Sequence, residues 1–550
     1  MTIYRAEQVL FSIGSEPGTG GYLDYISSAT DAGDAATTLT EVHTPGTQTL
    51  TVAAVGAMIA GDYVRIGTGT NAEIRRVLRI SGATLIYLDY PLGFYHANGE
   101  GVDEKTVDLG ASNKPVGTSL ISFLPGVYES ITVPDMATEF VPQYFLGASN
   151  RNFYYMYRGK QSFSGSLPNF ILLNGYALRF PIGRVRTVAT AVSGGSTTLA
   201  GAHFKGEREV DATNGTNFSN GDYIEIERGG TNPEVRQIIS GASGAGAQTF
   251  VLNYPLMFAH ANGVTIAETT AGTTFTHTIS EMSDLDTVTW HVRNRDEDED
   301  PDNDWVRRFV GGHVSRATIS ADEGDMLRMS WDDVPFIDMA HNQLDSSAVT
   351  GNVSRATAAM IDPAGIGGDT PHSGAALGTP LYATTEPYYF SQGSVSLFGV
   401  TFARIRNFRI EINNNVTPEY YIQDQTIDRR IPSEMHEQRR EYRMSATVAL
   451  PNAVAATANT RTLFKELLSE GNLTAGFSGF DVSLAFTRGT SDTITITIPP
   501  SSASSAGESQ GAFISRASTS VGTDSPVQAD VEIMFRSMQI AVVDSIPVYP

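Results

Sequence analysis

The chain has 550 residues, no cysteine and a formal net charge of −23, with 41% hydrophobic and 18% charged residues. That length exceeds what one hydrophobic core serves, so several domains are expected, and the ordinary hydrophobic share argues against disorder throughout. The missing cysteine excludes disulfides and thiolate nucleophiles or metal sites, and the acidic excess argues against tight, sequence-independent DNA binding, which needs clustered cations. Five lysines against 32 arginines is a balance found in proteins of halophilic hosts, and equally in arginine-biased genomes. Residues 1–10 lack a basic start and apolar core, so no secretory signal is expected. No run of about 18 apolar residues occurs, so no membrane insertion is expected.

From the N-terminus, residues 1–46 are rich in Gly, Thr and Asp and read as a segment or arm. Residues 47–107 alternate apolar residues between Gly, Ser and Asn punctuation, the pattern of a small antiparallel β module, module A. Much of it returns in residues 191–269, module B. Gly61-Asp62-Tyr63-Val64-Arg65-Ile66 recurs as Gly221-Asp222-Tyr223-Ile224-Glu225-Ile226, and Glu73-Ile74-Arg75 as Glu234-Val235-Arg236. Tyr90-Pro91-Leu92 recurs as Tyr254-Pro255-Leu256, and His96-Ala97-Asn98-Gly99 as His260-Ala261-Asn262-Gly263. His96 and His260 invite a ligand or catalytic reading, but no second His or carboxylate keeps a ligand spacing to them in both modules. Turns whose Asn-Gly pair supplies positive φ are therefore expected. Asp62 and Asp222, each between Gly and Tyr, are expected as turn residues too.

A larger repeat encloses module B. Val141-Pro142-Gln143-Tyr144-Phe145-Leu146 is echoed by Thr417-Pro418-Glu419-Tyr420-Tyr421-Ile422. Each is followed by an Arg-containing loop, a strand-like stretch (164–167 and 445–450) and a Pro-Asn pair, Pro168-Asn169 and Pro451-Asn452. Pro142 precedes Ser315-Arg316-Ala317-Thr318 by 173 residues, whereas Pro418 precedes Ser515-Arg516-Ala517-Ser518 by 97. The surplus is about the length of module B, so a duplication is expected in which only the first copy carries that insertion. The first copy then covers 108–190 and 270–345, a Gly-, Ala-, Thr- and Pro-rich linker covers 346–388, and the second copy covers 389–550. Residues 402–412 largely alternate until Asn413-Asn414-Asn415, and 493–498 alternate strictly until Pro499-Pro500, so both read as strands. One helix is expected, capped by Asn459 or Thr460, running through 463–468 and ended by Gly471.

No Gly-x-Ser-x-Gly elbow, phosphate loop or zinc-helix pattern occurs, so no enzyme, cofactor or metal site is expected. The acidic run Asp296, Glu297, Asp298, Glu299, Asp300, with Asp302 and Asp304, lacks the spacing and central Gly of an EF-hand. A solvated loop between strands ending near Arg293 and beginning near Trp305 is expected, with weak cation binding left open. Arg429, Arg430, Arg439 and Arg440, interleaved with Glu434, Glu437 and Glu441, fit two readings. One is a loop of ordinary surface pairs; the other is a subunit contact built on Arg–carboxylate geometry.

From Ala403 to Gly471 the chain resembles the tail tube (major tail) proteins of long-tailed viruses. The resemblance runs through the alternating strand to Asn413-Asn414-Asn415, Thr417-Pro418-Glu419-Tyr420-Tyr421-Ile422, Arg439-Arg440-Glu441-Tyr442, the strand at 445–450 and the helix at 463–468. Modules A and B resemble small β repeats of such virion proteins. The resemblance implies a mainly β fold: two tandem tail-tube-like β-sandwich or barrel domains, each with a flanking helix, plus the two inserted modules. It implies self-assembly into stacked rings, with a homotrimer of duplicated chains favoured over a hexamer, and localisation in the virion tail after assembly in the host cytoplasm. The implied partners are further copies, other tail proteins (tape measure, terminator, baseplate or tip) and genomic DNA passing through the lumen without specific binding. Ring contacts would come from residues 423–441 and 147–160, including Arg151, Arg158 and Lys160. A capsid-decoration or tail-fibre β-protein that binds a receptor or glycan is the alternative.

Overall fold

The computed structural model describes residues 9–15, 30–68, 71–88, 91–106, 125–144, 155–282, 284–294, 305–341, 386–397, 400–401, 405–420, 431–432, 434–449, 479–489, 491–500, 511–520 and 528–549. Strands dominate and are numbered along the chain. An eight-stranded antiparallel sheet runs, edge to edge, β8 (Thr132–Gln143), β9 (Tyr155–Ile171), β21 (Arg328–Phe336), β20 (Arg316–Asp322), β25 (Ile405–Asn413), β28 (Glu441–Ala449), β32 (Gln528–Phe535) and β31 (Phe513–Ser520).

Two sheets form the layer behind it. One has four strands: β1 (Val9–Ser15), β18 (Val288–Asn294), β19 (Trp305–Gly312) and β22 (Asp338–His341). The other has seven: β10 (Val185–Ala189), β17 (Phe275–Ser280), β33 (Gln539–Asp544), β30 (Asp492–Ile498), β29 (Val482–Arg488), β23 (Gly393–Leu397) and β24 (Val400–Thr401).

Alternation explains the layering. In β25, Phe408, Ile410 and Ile412 are buried while Arg406, Arg409 and Glu411 face out; in β30, Ile494, Ile496 and Ile498 are buried. One continuous core joins all three sheets, and Trp290 of β18 stacks on Trp331 of β21 with ring centroids 6.3 Å apart. The layers touch so closely at Gly165 that a Cβ there would lie 2.9 Å from Trp290 and 2.7 Å from Pro134.

Each module is a six-stranded sheet with its own apolar core. Module A runs β2 (Thr30–Thr38), β7 (Gly101–Thr106), β4 (Tyr63–Ile66), β5 (Glu73–Ser81), β6 (Leu85–Leu88) and β3 (Thr49–Thr51). Module B repeats that order as β11 (Val192–Thr198), β16 (Thr265–Thr269), β13 (Tyr223–Ile226), β14 (Glu234–Ser240), β15 (Gln248–Leu252) and β12 (Glu209–Ala212). The modules touch where Tyr95 stacks on Phe204 at 4.7 Å. Module B also rests on the second layer, through a cluster of Ala189, Val235, Phe275 and Val548. A two-stranded ribbon, β26 (Thr417–Glu419) with β27 (Glu434–His436), completes the fold.

The N-terminal 46 residues are distributed differently from the expected single segment. β1 lies in the core, with Phe11 and Ile13 buried, and residues 30–46 belong to module A because β2 pairs with β7. Module A is thus interposed between β1 and β8, as module B lies between β10 and β17. Across the expected linker the halves share one core rather than two, since β20 pairs with β25 and β17 with β33. Among the described residues the α-helix is a single turn, Arg179–Ile182. The helix expected at 463–468 lies outside them.

Candidate assembly edges and open sheet face

The two edges of the eight-stranded sheet, β8 and β31, each have a strand neighbour on one side only among the described residues. Such an edge presents a row of backbone donors and acceptors for another strand. The strand succession makes these edges informative. β8-β9-β21-β20 is followed across the sheet by β25-β28-β32-β31; the last two strands of each set are neighbours along the chain, as are β8 and β9, while the β26–β27 ribbon lies between β25 and β28. The second layer repeats in the same way, as β1-β18-β19-β22 and β23-β29-β30-β33. The joint between the sets, β20 on β25, pairs Thr318 with Glu411 and Ser320 with Arg409. β31 occupies the place of β20, and β8 that of β25.

The face of this sheet turned away from the core is open and polar. Its arginines sit beside carboxylates: Arg409 with Glu411 at 2.9 Å, Arg406 with Glu323 at 2.9 Å, Arg516 with Glu532 at 3.4 Å and Arg443 with Glu441 at 3.7 Å. All these side chains are 40–69% exposed. Pairs so exposed add at most about 1 kcal/mol each to stability, so their chief effect is on the charge the face presents. Ser164, Ser445, Ser518, Asp332 and Asp530 lie on the same face and add hydroxyls and acid.

The arginine-rich stretch divides. Arg440 donates to Asn414 Oδ1 at 2.7 Å and to the Ile182 carbonyl at 3.2 Å, and Glu437 accepts the Leu285 N–H at 2.6 Å. Both hold the second set of strands to the first within one chain, and burial pushes the Glu437 carboxyl above its ordinary value. Glu434 in β27 and Arg439 are exposed, and Glu441 belongs to the open face. Arg158 lies in β9 opposite Phe140, and exposed Lys160 places its ammonium 4.7 Å from the Tyr420 ring. Arg151, Arg429, Arg430 and the acidic run from Asp296 to Asp304 lie outside the described residues. The strands flanking that run end at Asn294 and begin at Trp305 and pair as a hairpin. No metal-holding group of His, Cys, Asp and Glu occurs among the described residues, and no helix there is long and apolar enough to cross a membrane.

The module histidines hold more than turns. His96 Nε2 bonds Glu73 and its Nδ1 bonds Glu100, both at 2.8 Å, while Arg75 pairs with Glu73 in the same buried site. In module B, His260 bonds Glu234 at 2.6 Å and Glu227 at 2.7 Å, and Arg236 pairs with Glu234. Burial opposes the charge on His96, but the bonds to Glu100 and Glu73 outweigh it and raise the ring to about 9; His260 shifts the same way. Each inner carboxylate also accepts two backbone N–H groups from the segment after the repeated Tyr-Pro-Leu. The cluster therefore clamps that segment to the sheet. Sequence reading missed a second pair, His43 and His203, whose Nε2 atoms accept the N–H of Thr51 and Asp211. Their signal was present as His-x-x-Gly, His43 to Gly46 and His203 to Gly206. Asp62 and Asp222 do cap turns, accepting the N–H of Ile59 and Ser219, and Gly99 and Gly263 have positive φ.

A family model described as phage tail tube protein matches residues 147–535. Among curated proteins no match was found.

Proposed function

The chain belongs to the phage tail tube protein family and is therefore a structural protein of the virion tail, and on that premise we propose that three copies close into a ring whose stacked repeats form the conduit for the genome. The observation that carries this reading is the joint of β20 on β25. If β8-β9-β21-β20 and β25-β28-β32-β31 are copies of one unit, that joint is a seam between units already made inside one chain. The free β31 of one chain then meets the free β8 of the next in the same way, and three chains bring six units round to closure. Closure removes both exposed edges. The second layer and module B lie on the outside, and the open polar face becomes the wall of the lumen. Other tail proteins would meet the ends of the tube.

The sequence repeat specifies the register. Ser515-Arg516-Ala517-Ser518 matches Ser315-Arg316-Ala317-Thr318, so Ser518 stands where Thr318 does. The Pro-Asn pairs, one within β9 and one just after β28, align Phe163 with Ala446, whose strand partners are Met136 and Phe408. Counting on from those, Glu139 stands where Glu411 does. Thr318 faces Glu411, so Ser518 of one copy faces Glu139 of the next.

The chain has no cysteine, which makes the test clean. Residues directly opposite on antiparallel strands lie within disulfide reach. A full-length Ser518→Cys, Glu139→Cys variant, oxidised after assembly, is expected to run as covalent trimers on a non-reducing gel. Assembled rings that stay unlinked would refute this register, and a chain that remains monomeric would refute the ring.

A further inference from the structure

We propose that module B caps a strand edge of the second layer, and that the edge beneath it is self-complementary: uncovered, β10 pairs with β10 of a second copy of this chain and joins assemblies side by side. β10 is the outermost strand of the seven-stranded sheet, with β17 as its neighbour. Antiparallel strands turn alternate residues toward each side. The Thr190 N–H donates to the Thr274 carbonyl, so Arg186 and Val188 address β17, while Val185, Thr187 and Ala189 address the open side.

Module B answers that side without adding a strand. The Thr187 N–H donates to the Pro233 carbonyl at 2.9 Å, and the Ala189 N–H to Glu225 Oε2 at 3.1 Å. Arg228 Nη1 donates to the Ala189 carbonyl at 3.3 Å and pairs with Glu225. Arg186 reaches across to the Thr231 carbonyl at 3.0 Å, and Val235 packs in one cluster with Ala189, Phe275 and Val548. Charged side chains in ladder positions end a sheet, because they satisfy the edge and offer no further row of backbone groups.

The two modules differ at these groups. Glu225 stands where module A has Arg65. Arg228 and Pro233 lie in a connection of seven residues, 227–233, whose counterpart, 67–72, has six and contains neither Arg nor Pro. Glu225 is fully buried, and its Oε1 finds no partner among the described residues. A carboxylate placed in this way costs the module stability, and the edge it closes is the reason for it.

The occupant follows from the strand itself. Set antiparallel to its own copy with Thr187 opposite Thr187, β10 matches Val185 with Ala189, so every outward residue meets an outward residue. Three of its five residues, Val185, Thr187 and Val188, are β-branched, which favours a strand. The same register places the exposed Val188 opposite the partner's Arg186.

The test uses the full chain with Glu225→Ala, Arg228→Ala and Val235→Asp, which remove the two capping side chains and charge the apolar contact. Amide exchange at Thr187 and Ala189 is expected to quicken about tenfold or more. Electron microscopy is expected to show particles, whatever their own stoichiometry, joined side by side about ten times as often as in wild type. Unchanged exchange would overturn the cap, and open amides without joining would overturn the latent edge. Two additions to this variant read the register. Val188→Lys sets like charge against Arg186 and is expected to restore dispersal, whereas Val188→Glu sets opposite charge there and is expected to strengthen joining, a contrast of about fivefold or more. Equal behaviour of the two, as nonspecific aggregation of a misfolded chain would give, would overturn the pairing of β10 on β10.

Discussion

Glu73 is fully buried between Arg75 and His96, and it forgoes hydration only because both cations and two backbone N–H groups answer it. Removing its charge while keeping its shape strands two buried cations. Glu73→Gln should therefore destabilise module A by about 3–5 kcal/mol, read as loss of its transition in thermal melts of the full chain. The cluster also sets a pH window. His96 rises from 6.5 to about 9 on folding, so its contribution is complete below its unfolded value and is lost as pH climbs through 9. Glu73 is depressed, so its contribution is lost instead as pH falls through the acid range. Module A melting should decline on both sides, and a flat profile up to pH 10 would contradict the assignment. The residues were legible singly, as repeated Glu-x-Arg and His-Ala-Asn-Gly motifs. Their contact was not, because Glu and His lie 23 residues apart in module A and 26 in module B. A β-hairpin of different length separates them, so a search for fixed spacing fails where the fold keeps the contact.

At the scale of elements, apolar alternation announced the strands that have one buried face. β25 and β30 follow it closely, and the hairpin around the acidic run ends within a residue of its expected limits. β2 carried no such signal: Thr-Asp-Ala-Gly-Asp-Ala-Ala-Thr-Thr is poor in strand-favouring residues, and pairing with β7 decides its state. β1 was obscured by its separation from the rest of its sheet by all of module A. Close approach between layers also imposes a constraint invisible in a strand pattern. At Gly165 of β9, an added methyl would meet Pro134, the Thr132 carbonyl and Trp290, all within 3 Å. Gly165→Ala should cost about 1–3 kcal/mol and lower the denaturant midpoint of the core, whereas Ser164→Ala on the exposed face should not.

For the whole molecule, the expectation of a duplication rested on a Pro-aromatic motif that occurs in each half, whereas the single core shared by the two halves left no trace in the sequence of either. The ring proposed above also places the paired arginines on the wall that DNA would pass. A phosphate approaching Arg409 or Arg443 finds a carboxylate already there, and the surplus acid repels it further. Glu411→Gln, Glu441→Gln and Glu532→Gln together would release three arginines per chain. Tubes of this variant should bind short double-stranded DNA at low salt at least tenfold more tightly than wild-type tubes, by fluorescence anisotropy. Unchanged binding would refute the role given to those pairs. The order of strands along the chain bears finally on synthesis. The proposed seam edge β8 is made early, whereas β31 and then β33, the partner of β17, come within the last forty residues or so. At ribosomal rates of about 5–20 residues per second, β17 waits on the order of tens of seconds for that partner. A chain still lacking β32 and β31 ends its sheet at β28, so it offers β8 but not the β31 edge that the proposed seam requires, and ring closure waits on the synthesis of those strands.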